Sequence, residues 1–334
     1  MKLHHIFAAA LCAAATAAYA QKLPPVTIDT ALANGALYVS DSADYTKFGT
    51  SPGPVVAPPA PNGLANPNFA TYLEISDVVS VNGQAMKGTF LNQGRLLQLS
   101  PNPRPGQAIS DSNWFTMGTQ GIDLITPDGI RIGTIYTSGF AIAAPPPGAP
   151  AGYYAVAAAV QGGTGAFAGA TGQCLIANVG ARTASITEDP ANRRILGGQP
   201  EPAIRHNICQ VTPAFRPEIE ALYHSDFTPV AADKPARKGE TLIALCSSLG
   251  PTRPGVAPGQ PFPPLEQATN WVNSPISVSL NDKPARVIYA FGWPGLVDGY
   301  RVDFQVPDDS ASGQVALQLT AAWVPGHTLN IPVQ

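Results

Sequence analysis

Charged side chains are scarce in this chain. Of its 334 residues only 12% are Asp, Glu, Lys or Arg, about half of the usual share of roughly 25%. The formal net charge is −3, so no basic excess is available to neutralise phosphates, and no nucleic-acid partner is predicted. Because 45% of the residues are hydrophobic, the low charge does not indicate disorder. We expect a folded chain with room for two cores.

The sequence also has no long apolar run after its first twenty residues. The longest spans 153–160, far short of the roughly 20 residues that a membrane helix needs, so no membrane span is predicted. The start is different, because Lys2 precedes an apolar stretch at 6–17 and Ala18-Tyr19-Ala20 has the small-x-small pattern of a cleavage site. Residues 1–20 are therefore predicted to be a signal peptide, and the mature protein to be secreted or periplasmic in a bacterium.

Cysteines are few, and three remain after the signal peptide. An exported protein meets oxidising conditions, which permit a disulfide. Cys174 and Cys209 lie in strand-like contexts in the same half of the chain, whereas Cys246 lies among aliphatic residues as a small core residue would. We predict a bridge between Cys174 and Cys209. Three buried free thiols remain the alternative, since the sequence cannot place two Cβ atoms within bonding range.

Glycine and proline are abundant instead, with 32 and 35 residues. Both disfavour helix interiors, and no window shows a helical apolar stripe. Leu73, Ile75 and Val79 alternate with polar residues, and the dipeptides Asn82-Gly83 and Asp128-Gly129 are typical of hairpin turns. These patterns predict an all-β protein.

The pattern of strands and linkers divides the chain into four parts. The signal peptide (1–20) is followed by an N-terminal extended segment with a Pro-rich linker (21–66). About eight strands over 67–212 indicate a small antiparallel barrel. Seven short strands over 213–334 fit an immunoglobulin-like β-sandwich. We expect the segment between Pro213 and Pro217 to connect the two domains.

The second domain carries motifs of a known type, at 249–252 (LGPT), 284–287 (PARV), 294–302 (PGLVDGYRV) and 306–307 (VP). With these motifs, residues 218–334 resemble the uncharacterised C-terminal domain of secreted acidobacterial proteins, which is similar to the immunoglobulin-like IPT/TIG sandwiches. The resemblance implies a structural or interaction module and supplies no catalytic residues. One departure is Cys246-Ser247-Ser248, where that family has a glycine-rich turn.

The first domain contains a glycine-rich hairpin, with GGTGAF at 162–167 and GATG at 169–172. This hairpin resembles that of the dirigent and allene oxide cyclase-like β-barrels. The resemblance implies a small barrel of that type. The acidic residues that plant dirigent proteins use have no counterpart here, so a coupling or cyclase activity does not follow from it.

Motifs that would indicate catalysis are missing. Gly162–Gly165 lacks the Gly-Lys-Ser/Thr of a phosphate loop, and Ser247-Ser248 lacks the glycines of a nucleophile elbow. None of His206, His224 and His327 has a second His or Cys at metal-ligand spacing. We therefore predict no catalytic residue, no metal and no cofactor, and we lean against an enzyme.

Five residues on predicted barrel strands form the candidate ligand site: Tyr72, Glu74, Arg95, Trp114 and Tyr136. A small barrel can hold one small ligand, and an aromatic-lined cavity with a few polar groups is the usual form of such a site. Ordinary packing of strand aromatics is the alternative.

These observations favour a secreted, non-catalytic binding or adhesion protein of the cell exterior. Its barrel would hold a small apolar ligand, and its second domain would act as a spacer or contact an extracellular surface component. The alternatives are a cyclase or lyase acting on an apolar substrate in the barrel, and a passive structural protein of the envelope. A barrel filled with aliphatic side chains would favour a scaffold, whereas an open one holding Glu74 or Arg95 beside aromatics would favour a ligand.

The signal peptide can be tested directly. Because Ala18-Tyr19-Ala20 fits the cleavage pattern, we expect exported material to begin at Gln21 when its N-terminus is sequenced. Mature protein that still begins at Met1 would contradict the prediction.

Overall fold

The computed structural model of the chain describes six ranges of residues: 23–41, 68–98, 114–142, 156–177, 194–195 and 204–334. Every regular element in these ranges is a β-strand, which confirms the predicted all-β class. The same ranges contain no helix with the length and hydrophobicity of a membrane span. The predicted signal peptide and most of the Pro-rich linker lie outside them.

The first sheet is a closed barrel. Its strands are β1 (Val26–Asp41), β2 (Asn68–Val81), β3 (Gln84–Ala85), β4 (Lys87–Gln98), β5 (Trp114–Ile125), β6 (Arg131–Ile142), β7 (Val156–Gly165), β8 (Thr171–Ala177), β9 (Arg194–Ile195) and β10 (Arg205–Thr212). The long strands pair antiparallel in the order β1, β2, β4, β5, β6, β7, β8, β10, and β10 pairs with β1 again. Eight strands therefore close the barrel that the sequence predicts.

Strand β1 corrects the predicted extent of the barrel. The sequence places the barrel within 67–212 and treats 21–66 as an extension, yet β1 comes from that extension and pairs with both β2 and β10. The alternation of inward-facing and outward-facing residues on β1 is short, and its buried positions are Ile28, Thr30 and Leu32. It is then interrupted at Asn34, where φ is 53° and the pairing with β2 shifts register. The interruption hides a long strand from a period-two pattern.

One end of the barrel is filled with apolar side chains. This core includes Ile28, Leu32, Val78, Val81, Phe90, Ile122, Leu124, Ile135, Val160 and Val211, together with Phe167 from the turn between β7 and β8. Gly163 lets that turn fold against the sheet, because a Cβ there would lie 2.4 Å from the Thr134 carbonyl oxygen and 2.8 Å from the Phe167 Cβ. The glycine-rich hairpin thus serves close packing, as expected of glycine in a strand.

The second sheet comprises β11 (Glu218–Tyr223), β12 (Thr241–Ser247), β13 (Thr252–Arg253), β14 (Trp271–Val272), β15 (Ile276–Leu280), β16 (Lys283–Gly292), β17 (Gly299–Gln305), β18 (Gly313–Ala321), β19 (Val324–Pro325) and β20 (Leu329–Val333). All seven strands predicted for this half are present. The sheet runs β11, β12, β17, β16, β15, β18, β19, with β20 beside β18. It curls, so that Val302 of β17 and Leu317 of β18 share one buried core.

A tight turn joins the two cores. Between β18 and β19, Ala322 and Trp323 have φ values of 47° and 64°, a left-handed conformation that residues with a Cβ adopt at a cost. Ala322 is buried in the barrel core, and Trp323 packs against it. The Trp323 Nε1–H donates a hydrogen bond to Gln84 Oε1 at 3.0 Å. The second sheet thus covers the filled end of the barrel.

The structure contains the predicted disulfide and leaves the third cysteine unpaired. Cys174 and Cys209 are opposite each other on β8 and β10 and form a disulfide. Cys246 on β12 is a buried free thiol. Burial raises the pKa of the Cys246 thiol well above its usual range, and the Glu220 carboxylate adds to this effect. Since the thiolate is the reactive form, Cys246 is protected in the folded protein.

Thiol counting checks this arrangement. We expect mature, unreduced protein to show no thiol that reacts rapidly at pH 8 while folded, and one after unfolding in guanidinium, because only unfolding exposes Cys246. Three reactive thiols in the unfolded, unreduced chain would contradict the disulfide.

Candidate functional site

A row of polar side chains crosses the inside of the barrel next to its apolar core. Glu74, Asn92, Gln120 and Thr137 occupy directly opposite positions on β2, β4, β5 and β6. All four are buried, with 8% exposure or less. We call these four residues, with Arg205 at the start of β10, the polar belt.

Hydrogen bonds and one ion pair join the members of the belt. Arg205 forms a salt bridge with Glu74, whose other oxygen accepts a hydrogen bond from Asn92 Nδ2 at 3.1 Å. Thr137 Oγ1 donates to Gln120 Oε1 at 3.0 Å. Arg205 Nη2 also donates to Ser76 Oγ at 2.7 Å. The one negative and one positive side chain neutralise each other, so the belt as a whole carries no net charge.

Two more polar side chains lie deeper in the interior. Thr30 on β1 and Asn207 on β10 face each other across the β1–β10 pairing, and neither is accessible to solvent. Thr30 Oγ1 and Asn207 Nδ2 have no hydrogen-bond partner among the described residues. Burying an unpaired polar group costs about 1–3 kcal/mol, so these atoms add to the polar character of the interior without stabilising it.

The barrel wall continues beyond the belt on the side away from the apolar core. Strand β2 has six residues from Asn68 to Leu73 before Glu74, and β4 has six from Gln93 to Gln98 after Asn92. Six residues span about 20 Å of strand, or about 15 Å along the axis of a barrel whose strands tilt by roughly 40°. We call the part of the barrel that these paired strands enclose beyond the belt the cup, and the belt lies at its base.

The five residues that the sequence nominates do not gather at one place. Glu74 lies in the belt, whereas Arg95 and Tyr136 are exposed on the outer face of the barrel, Tyr136 at 47%. The backbones of Tyr72 and Trp114 pair with Gly94 and Gln98 in the wall of the cup. The structure describes the backbone of these two residues but not their side chains. Neither of the two nominated residues with described side chains besides Glu74, Arg95 and Tyr136, lies beside Glu74.

The residues that do surround Glu74 escaped the sequence analysis. Each of these residues, Asn92, Gln120, Thr137 and Arg205, has another polar residue next to it in its strand, so the sequence does not single it out. Period-two alternation is present on each strand, but it does not say which face points inward. The sequence around these residues therefore contains no local signal that would have identified them.

Comparisons with protein-family models, with curated proteins and with solved structures find no match to this chain.

The ion pair between Glu74 and Arg205 can be tested for its contribution to stability. A buried ion pair often contributes less to folding stability than apolar residues of similar volume. Removing one partner, however, leaves the other charge buried without compensation. We expect Glu74→Gln to lower the free energy of unfolding by about 3 kcal/mol. The double variant Glu74→Met with Arg205→Met should restore most of that loss. Denaturant unfolding with the disulfide intact measures both.

The exposed ion pair between Arg131 and Asp123, with Arg131 at 68% exposure, supplies the control. We expect Arg131→Gln to change stability by at most about 0.5 kcal/mol, as exposed pairs do. A double variant less stable than Glu74→Gln alone would show that the buried pair is kept for the fold.

Proposed function

We propose that this protein is an exported binding protein whose barrel holds a small ligand in the cup above the polar belt. The observation that carries the proposal is the belt itself. Four polar side chains in one cross-strand row, with a buried ion pair, occupy positions where a scaffold barrel would place aliphatic residues. The interior thus combines an aliphatic core at one end with a polar floor facing the other, which agrees better with a binding site than with a solid scaffold.

The chemistry of the belt favours a particular kind of ligand. Glu74 and Arg205 neutralise each other, so a charged ligand group would find no uncompensated partner. Amide and hydroxyl groups, which both donate and accept, make up the remainder. The ligand we infer has an apolar body and one neutral polar end, such as a hydroxyl group, that lies on the belt.

Catalysis is the weaker candidate. A general base or acid needs a carboxyl group that can reach a substrate proton. The Glu74 carboxylate is already occupied on both oxygens, by Arg205 and by Asn92. This favours a fixed structural anion over a cyclase or lyase group, and no metal or cofactor is needed to explain the belt.

Adhesion through the second sheet is a second candidate, and its surface aromatics support it. The side chains of Trp271 on β14 and Tyr289 on β16 are 41% and 50% exposed, with ring centroids 6.2 Å apart. Aromatic residues are enriched at interfaces. In this proposal the second domain, which resembles the IPT/TIG sandwiches, contacts an extracellular surface component while the dirigent-like barrel holds the ligand.

Binding of 2-naphthol tests the barrel site. Its fused rings are apolar and its hydroxyl is neutral, so we expect saturable binding by isothermal titration calorimetry. Naphthalene and 2-naphthoate should bind more weakly, because the first lacks the polar end and the second carries a charge. Gln120→Leu removes an amide from the belt and should weaken 2-naphthol binding about tenfold.

Gln93→Leu provides the matched control, since the same side chain lies exposed on the outer face of β4. It should leave the affinity unchanged. Equal affinity of wild type and Gln120→Leu for 2-naphthol, or preference for naphthalene, would refute a ligand lying on the belt.

A further inference from the structure

A cavity lies between the two halves of the protein. Its volume is about 410 Å³, within the usual range of small-molecule sites, which occur preferentially at domain interfaces. One wall is the β7–β8 turn of the barrel with Ala166 and Ala168, and another is the connector residue Phe215. The second sheet supplies the rest, including Leu249 and Val324. Most of this lining is apolar.

Four polar side chains from the second half of the chain lie in this lining: Ser248, Ser274, Asp298 and Tyr300. Ser248 Oγ donates a long hydrogen bond of 3.4 Å to Asp298 Oδ2. The Tyr300 hydroxyl donates to the Gly250 carbonyl oxygen at 2.7 Å. Burial, and after it the nearby Asp298 carboxylate, raises the pKa of Tyr300 above its usual range, so its phenol stays neutral.

The cavity therefore has one charged group among neutral, mostly apolar ones. Among the described residues that line it, Asp298 alone carries a charge, and the side chain of Asp298 is exposed. Ser248 and Asp298 both have left-handed backbones, with φ values of 59° and 52°. Such conformations are unfavourable in a residue with a side chain, and here they hold a hydroxyl and a carboxylate at the rim of the same cavity.

We propose that this cavity is a second ligand site, specific for a small organic cation with an apolar body and an amine group that pairs with Asp298. Because no cationic side chain is among the described residues that line the cavity, the Asp298 carboxylate selects a positive ligand group. The apolar walls of Ala166, Ala168 and Phe215 take the body of the ligand. Because the walls come from both halves, the bound molecule bridges the barrel and the second sheet. This site is separate from the cup above the polar belt and does not depend on it.

Three probes that share an indole ring test the charge preference on the full mature chain. Tryptamine carries an ammonium group, 3-ethylindole is neutral, and indole-3-propionate is an anion. We expect isothermal titration calorimetry to give the affinity order tryptamine, then 3-ethylindole, then indole-3-propionate. Saturation-transfer NMR should show the indole ring protons in contact with the protein.

Two substitutions locate the binding. Asp298→Asn removes the charge but keeps a residue that tolerates the left-handed backbone, and it should weaken tryptamine binding about tenfold while leaving 3-ethylindole unchanged. Its matched control is Asp282→Asn, because Asp282 has a φ of 64° and is exposed in the β15–β16 turn. Ala168→Leu should block all three probes by filling the cavity. Its control is Ala159→Leu on the exposed face of β7.

The outcomes are distinct. Loss of tryptamine affinity in Asp298→Asn but not in Asp282→Asn supports the proposal. Tryptamine binding that both Asp298→Asn and Ala168→Leu leave unchanged overturns it, as does a wild-type protein that binds none of the probes at millimolar concentration. Loss of 2-naphthol binding in Gln120→Leu, with tryptamine binding intact, would show that the two sites are separate.

Discussion

The closure of the barrel by β1 is the constraint on which the rest of the structure depends. Without β1, β2 and β10 would be edge strands with unpaired backbone groups, and the sheet would lie open. With β1 between them, the long strands have no unpaired edge and the sheet encloses an interior. Only in that enclosed interior do Glu74 and Arg205 lose most of their contact with water and need each other. The polar belt and the apolar core beside it are both consequences of this closure.

The sequence was sufficient to predict the class of fold and many of its elements. The all-β class, seven strands of the second sheet and the hairpin at Asn82-Gly83 follow from alternation and turn chemistry. At that hairpin both residues have positive φ, 47° and 78°, as the dipeptide predicts. These features are local, so a single sequence contains the information that fixes them.

The candidate site was less predictable because it depends on strand orientation and long-range pairing. On β2 the alternation of apolar and polar residues is correct, but its phase is inverted at the belt. Glu74 and Ser76 are buried there, whereas Ile75 is 37% exposed. An assignment of apolar residues to the inside therefore fails on this strand. Arg205, the partner of Glu74, lies on a strand that pairs with β2 only through β1, so sequence distance gives no hint of the contact.

The turn at Ala322 and Trp323 shows that the two halves are not merely adjacent. A side chain from the second sheet completes the packing at the filled end of the barrel, and the cavity beside it has walls from both halves. The orientation of the second sheet is thus fixed by the same apolar surface that seals the barrel. A change in the contact at this end would therefore alter the packing of both cores.

The disulfide between Cys174 and Cys209 has a consequence for the covalent continuity of the chain. The two cysteines lie on adjacent barrel strands, and the 34 residues between them, 175–208, are closed into a loop whose base is the disulfide itself. A protease that cut the chain inside this loop would not release a fragment, because both new ends would stay attached to the same barrel. Nicked molecules would migrate as one species until a reductant is added, and new sequence could be inserted there without separating the two parts of the chain.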